Sequence, residues 1–292
     1  MSKETIAFIG LGMMGAPMSR CLARAGYPLL LSDIDSERTR NLCAELDARA
    51  LDAESAAKAS ALITMLPNSD IVEDVLLAQG WADRMPPGAT IIDMSSSVPT
   101  RSRALATVLT GKGLSYLDAP VSGGVKKAES GTLAILVGGE PELASRWKDL
   151  LEVMGDSILH IGDAGSGHAA KALNNYVSAS GLMATVEALH VAERFGIAPD
   201  EMTRVLNASS GRTNTSENKV AQFMLSETFA SGFSLKLMDK DLGIAADLAR
   251  ELSYPMQLGE HGIALWHRIA EQAGSGTDHT EMYKLMRDGD RP

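Results

Sequence analysis

The sequence predicts an α/β fold over residues 1–163, a parallel sheet with covering helices, and an all-α stretch over residues 164–292. Up to about Ile161, short apolar runs alternate with segments of helical periodicity. Strand, helix, strand, repeated, builds a parallel sheet. After Gly167 the pattern changes: to Phe195 there is no proline and one glycine, Gly181, and no convincing strand follows. A length of 292 residues suits one large or two ordinary domains.

The strands are read from Ile6–Ile9, Leu29–Leu31, Ala61–Leu66, Thr90–Met94, Tyr116–Ala119 and Leu133–Val137. Several show no polar alternation, as strands buried on both faces do. Met14–Ala25 and Ile71–Leu77 have helical spacing between them. The Gly167–Phe195 segment predicts a helix about 45 Å long. Ala, Leu, Val and Met occupy nearly every face of it, so it is expected to be buried among other helices. Pro199 and Asp200 open a further helix, and helices are expected on to Pro292.

Lys and Arg number 27 against 37 Asp and Glu, a net charge of −10. Phosphate binding needs a basic surplus on one face, so nucleic acid is excluded as the main partner. A hydrophobic fraction of 45% with 22% charged residues excludes wholesale disorder. Two cysteines, Cys21 and Cys43, in helical segments exclude a disulfide framework and a four-thiolate zinc site. No apolar run approaches the ~18 residues of a membrane span. Met1–Gly10 leads into a glycine loop instead of reading as a signal peptide, and the expected compartment is the cytoplasm.

Gly10-Leu11-Gly12-Met13-Met14-Gly15 follows the first strand and opens the first helix. In such a loop the first glycine permits the turn, the second lets backbone approach a pyrophosphate, and the third lets helix pack on strand. The helix N-terminus then offers N–H groups and a positive dipole end to the phosphates. Asp33 ends the second strand 18 residues after Gly15, where a carboxylate accepts from ribose hydroxyls and repels a 2′-phosphate. Ile34 and Asp35, not Arg, follow it, which favours NAD over NADP. The alternative is that Asp33 caps the next helix, a role for which Asp35 competes.

Four further segments join this loop: Asp118-Ala-Pro-Val-Ser-Gly-Gly124, Gly162-Asp-Ala-Gly-Ser-Gly-His-Ala-Ala-Lys171, Asn175, and Lys240-Asp-Leu-Gly243. Together, and in this order, they resemble the β-hydroxyacid dehydrogenase family, over essentially the whole chain. The resemblance implies NAD(P)-linked oxidation of a small 3-hydroxy acid or reduction of its semialdehyde. It also implies a Rossmann-type domain and an all-α domain joined by a long helix, in a homodimer or homotetramer.

Lys171 and Asn175 stand at i and i+4, on one helix face. A lysine on so apolar a helix either snorkels at the helix start or serves a purpose. Beside a nicotinamide it is suited to move the hydroxyl proton and to stabilise alkoxide charge. The resemblance assigns it that catalytic role and assigns Asn175 to substrate orientation. Ser122, Gly123 and Gly124 follow a strand end and either form a plain turn or present N–H and O–H donors to a substrate carboxylate. The resemblance places Lys240 near nicotinamide and substrate. It places Leu66, Pro67 and Ser96 in the cofactor cleft, with Ser95 the alternative to Ser96.

The six histidines show no metal-ligand spacing, so no metal is expected. Where relatives in the family carry Trp, two residues after Arg212, this chain has Asn214. Arg212-Thr-Asn-Thr-Ser-Glu-Asn218 therefore either favours a more polar substrate or caps the next helix. Two other functions compete with the leading one. They are a reductase of another small aldehyde or imine on this scaffold, and a non-catalytic dinucleotide sensor.

Overall fold

A computed structural model describes residues 3–287. They form two compact units that divide after Lys171. The helical run expected to reach Pro292 lies, at residues 288–292, outside the described residues.

The first unit holds a sheet of strands β1 Ile6–Ile9, β2 Leu29–Ser32, β3 Arg49–Ala50, β4 Ala61–Thr64, β5 Thr90–Asp93, β6 Ser115–Asp118, β7 Val121–Ser122, β8 Leu133–Gly138 and β9 Gly155–Gly162. Their order is β3-β2-β1-β4-β5-β6-β8-β7, with β9 beside β8. From β3 to β6 all neighbours are parallel, with Ile6 opposite both Leu29 and Ala61. The chain therefore winds outward both ways from β1, and the crevice at the carboxyl ends of β1 and β4 is where such sheets bind ligands. Ile6 and Phe8 join one core and Ala7 and Ile9 the other. That two-sided burial is why the strands read as unbroken apolar runs.

The sheet is mostly parallel, as expected, and β8 runs antiparallel to β6 and β7. Between β6 and β8 the chain forms β7 and the helix Gly124–Ser130, and β8 comes back against β7 in antiparallel register, Val121 opposite Ile135. β3, β7 and β9 were not singled out in the sequence. β9 is half open, with Leu159 and Ile161 exposed, so it lacks a buried run. The helix expected at Ile71–Leu77 is Ser69–Glu73 followed by a π-helical turn, Asp74–Ala78.

The long helix runs from Ser166 to Phe195, 30 residues. In the second unit it is followed by helices Pro199–Ala208, Asn214–Asn218, Leu235–Glu251, Gln257–Gln272 and Met282–Leu285. Leu182, Val186 and Leu189 pack into one core with Met224, Leu235, Leu242, Trp266 and Met282. Trp266 is fully buried and its Nε1 donates to the Leu235 carbonyl at 3.2 Å. The long helix is buried or half-buried over most of its length, as expected, but keeps one open face. Leu173, Val177, Val191 and Phe195 are exposed, and their spacing puts them on one face. Among the described residues no helix is long and apolar enough to cross a membrane.

Candidate active site

The glycine loop has the shape a pyrophosphate needs. Gly10 is left-handed, at φ +99°, and a Cβ on it would collide with the Met65 carbonyl. A Cβ on Gly15 would collide with the Gly10 carbonyl, which explains the tight strand-to-helix approach. Gly12 is different: a Cβ there meets nothing within 4 Å. Its bare backbone faces open space. The helix beginning at Gly15 has no side-chain cap. Its N-terminal N–H groups are thus not claimed by a side chain of its own. Leu11 is buried, Met14 half-buried and Met13 exposed. These residues fit a dinucleotide.

Asp33 leans onto this loop. Its Oδ2 accepts from the Leu11 N–H at 2.6 Å, and its Oδ1 accepts from the Asp35 N–H at 2.9 Å. Asp35, not Asp33, caps the helix Ser36–Leu46 by accepting from Glu37 and Arg38 N–H groups. Of the two acids, Asp35 is therefore the one that caps the following helix. Sequence reasoning missed Arg38, whose guanidinium donates to Asp33 Oδ1 at 3.2 Å. The signal was available: one turn into the helix, Arg38 comes back beside the strand end.

At the ends of β4 and β5, Ser95 is buried and its Oγ accepts from the Leu66 N–H at 2.9 Å. Ser95 therefore positions the Leu66-Pro67 turn, while Pro67 is exposed and Ser96 half-buried. Beneath lies a polar cluster; Asp118 and His168 stood in the quoted motifs, and Ser95 as the alternative to Ser96, without this structural role. Asp118, fully buried, accepts from the Gly165 and His168 N–H groups at 2.6 and 2.8 Å, fixing the start of the long helix. His168, 1% exposed, pairs through Nδ1 with Ser102 Oγ at 2.8 Å and through Nε2 with the Ser95 carbonyl at 3.2 Å. Asp93, also buried, accepts from Thr64, Ser95 and Ser97. Burial, and then the Asp93 and Asp118 charges, push the Tyr116 phenol well above its ordinary pKa. Apart from the backbone, these groups spread over five sequence segments, so no one local motif marks the whole cluster.

Lys171 sits one turn beyond His168 and is half-buried. Its Nζ donates to the Val121 carbonyl at 2.9 Å. Val121 pairs in β7 immediately before Ser122, Gly123 and Gly124. Gly123 and Gly124 both have positive φ, +139° and +71°. Within the first unit, then, an ammonium lies beside a turn with a hydroxyl and two glycine N–H groups. Lys126 and Lys127 are exposed.

In the second unit, Asn175 is buried and its Nδ2 donates to Asp241 Oδ2 at 2.6 Å. Asp241 is itself 2% exposed, and Lys240 Nζ lies 3.7 Å from its Oδ1. Asp241 stood in the quoted Lys240 motif without a role; its burial marks it. Thr213 caps the helix Asn214–Asn218 in a capping box with Ser216, and Asn214 is exposed. The polar run after Arg212 is thus explained by capping. Among the described residues no group of three or more His, Cys, Asp or Glu is arranged to hold a metal.

Residues 5–162 match the family model described as the NAD binding domain of 6-phosphogluconate dehydrogenase. Residues 165–286 match that described as NAD-binding of NADP-dependent 3-hydroxyisobutyrate dehydrogenase. The mitochondrial 3-hydroxyisobutyrate dehydrogenase of Mus musculus is 36% identical over 299 residues, covering 98% of this chain and 88% of the relative. The 2-(hydroxymethyl)glutarate dehydrogenase of Eubacterium barkeri is 37% identical over 255 residues, 87% of this chain and 85% of the relative. A solved Mycobacterium tuberculosis 3-hydroxyisobutyrate dehydrogenase with L-serine superposes at a TM-score of 0.91, with 32% identity over 98% of this chain and 99% of that one.

Proposed function

The chain belongs to the β-hydroxyacid dehydrogenase family, and from that premise we propose how its own residues carry the reaction. It is an NAD-dependent oxidoreductase that interconverts a small 3-hydroxy acid and its semialdehyde. Oxidation removes a hydride from the carbinol carbon and a proton from its hydroxyl; reduction returns both. When bound, the nicotinamide ring supplies the hydride acceptor or donor. The chain's residues manage the proton and the carboxylate.

Lys171 is the general acid/base. The single observation that carries this is its Nζ at 2.9 Å from the Val121 carbonyl, next to the Ser122–Gly124 turn. A lysine held at that point takes the hydroxyl proton on oxidation as the neutral amine, and on reduction the ammonium so formed returns it. It also stabilises alkoxide charge as that develops. Ser122 Oγ and the Gly123 and Gly124 N–H groups hold the substrate carboxylate. Gly10, Leu11, Gly12, Met13, Met14 and Gly15 wrap the pyrophosphate, Asp33 takes the ribose, and Leu66, Pro67 and Ser96 line the cofactor. Asn175, fixed by Asp241, orients the substrate, and Lys240 contributes a second cation to substrate and nicotinamide.

The substrates in the names above share one fragment, a primary hydroxymethyl on the carbon that bears a carboxylate. They differ in the third group there: methyl, carboxyethyl or ammonium. We take that fragment as the substrate class of this chain. The test is NADH formation with 3-hydroxyisobutyrate, L-serine, 2-(hydroxymethyl)glutarate and glycerate, and NADH consumption with the matching semialdehydes. Turnover of at least one is expected. NADH binding without any turnover returns the sensor reading, and turnover only of unrelated aldehydes or imines returns the other reductase.

The exposed face of Leu173, Val177, Val191 and Phe195 supports self-association, since large apolar patches on monomers are uncommon. A homodimer or homotetramer is expected by light scattering, and Val191→Asp with Phe195→Asp should shift it toward monomer. A dimer unaffected by that pair would place the interface elsewhere. Cys21 and Cys43, both unpaired, suit a reducing compartment, and we place the chain in the cytoplasm.

A further inference from the structure

Sequence alone presents Asp33 as a bare carboxylate that repels a 2′-phosphate. The structure changes its surroundings. The Asp33 side chain is only 6% exposed and receives three donors: the Leu11 and Asp35 N–H groups and the Arg38 guanidinium. Arg38 Nη1 lies 3.2 Å from Asp33 Oδ1, and Nη2 lies 3.5 Å from Asp35 Oδ2. The Arg38 side chain remains 47% exposed, so it occupies the solvent side of the acid. Ile34, beside Asp33, is fully exposed, and the mouth of this corner is open.

A guanidinium has five N–H donors in a planar fork that matches phosphate oxygens. In this corner the fork serves one carboxylate through a 3.2 Å bond and a second at 3.5 Å, on a half-exposed side chain. A dianion arriving beside the ribose meets that cation together with Asp33. The attraction and the repulsion act over similar distances and oppose each other.

Resting on the dinucleotide reading of the glycine loop, we propose that Arg38 sets the cofactor ratio: it offsets the Asp33 charge and offers N–H groups to a 2′-phosphate, so that the chain takes NADP alongside NAD. Arg38 is a specificity-determining residue that touches the cofactor, not the reacting atoms. Its place on a helix turn, five residues after Asp33, is what lets both charges face one corner.

The test is fluorescence titration of the purified full chain with NADH and with NADPH, which reads binding without any substrate. Wild type is expected to bind NADPH within about tenfold of NADH. Arg38→Gln should lower the NADPH-to-NADH affinity ratio by tenfold or more, and Arg38→Glu by more again. Arg38→Lys should keep part of the ratio, because a point charge lacks the fork. Raising salt should weaken NADPH more than NADH in wild type and erase that difference in Arg38→Gln. NADH binding with NADPH a thousandfold weaker overturns the proposal, as does an affinity ratio that Arg38→Gln leaves in place. Wild type that binds neither cofactor overturns the dinucleotide reading along with it.

Discussion

Lys171 and Asn175 lie one helical turn apart, yet different tethers hold them. Lys171 donates to a backbone carbonyl of β7, beside the turn proposed to hold the substrate carboxylate. Asn175 is anchored on a buried carboxylate, which fixes its amide without giving it a proton to transfer. Lys171→Ala should therefore lower kcat by ~10² or more, the usual worth of general acid–base catalysis, and leave NADH affinity within a few-fold. Asn175→Ala should raise KM as well as lower kcat, because its part is placement. Steady-state kinetics beside NADH titration separate the two, and near-normal turnover of Lys171→Ala would falsify its assignment.

Among the elements, the glycine loop makes the sharpest claim. Its three glycines answer different demands, and one methyl group distinguishes them. On Gly12 the methyl points into open space, so Gly12→Ala should fold with a stability change of about 1 kcal/mol or less. It should nevertheless weaken NADH at least tenfold, since it occupies the path of the pyrophosphate. On Gly15 the methyl runs into the Gly10 carbonyl, which is backbone and cannot step aside. Gly15→Ala should cost about 3 kcal/mol or more. Urea unfolding with NADH titration measures both, and equal effects from the two substitutions would sink this division of labour.

For the chain as a whole, acid stability is expected to turn on His279. Burial, with the Lys219 charge adding to it, lowers this ring to about 4 from 6.5. The fold thus keeps it neutral, whereas the unfolded chain takes a proton below 6.5. Between about pH 6.5 and 4 the unfolded state binds more protons, so stability falls as pH falls. At about 1.4 kcal/mol for each pH unit, the gap is worth about 3 kcal/mol by pH 4. Burial alone would raise the Asp278 carboxyl, but hydrogen bonds from Thr280 and Ser231 outweigh it and hold it below its ordinary 3.8. Lys219 is lowered from 10.5 by burial. Urea midpoints from pH 7 to 4.5 should fall in wild type and fall less in His279→Gln. Equal slopes in the two chains would count against His279 as the cause.

Much of this molecule was written locally. Period and punctuation gave the six principal strands, the 30-residue helix and the change from sheet to helices, because burial on both faces forces unbroken apolar runs. Gly10, Gly12 and Gly15 were legible because one strand-to-helix turn imposes all three, and Asp33 because it stands at the end of the next strand. Tertiary structure alone decided the rest. β8 runs antiparallel to β6 and β7, a direction set by pairing with distant strands and not by its own apolar run, which reads alike in either direction. Asp118, His168, Asp93 and Ser102 met in one buried cluster from segments far apart in the chain, where pairing, not spacing, makes burial tolerable. Asp33 stood in the sequence as a lone negative charge. Only the turn of the following helix, which brings Arg38 to 3.2 Å from it, gave that charge its partner, because electrostatics depends on distance in space and a motif records distance along the chain.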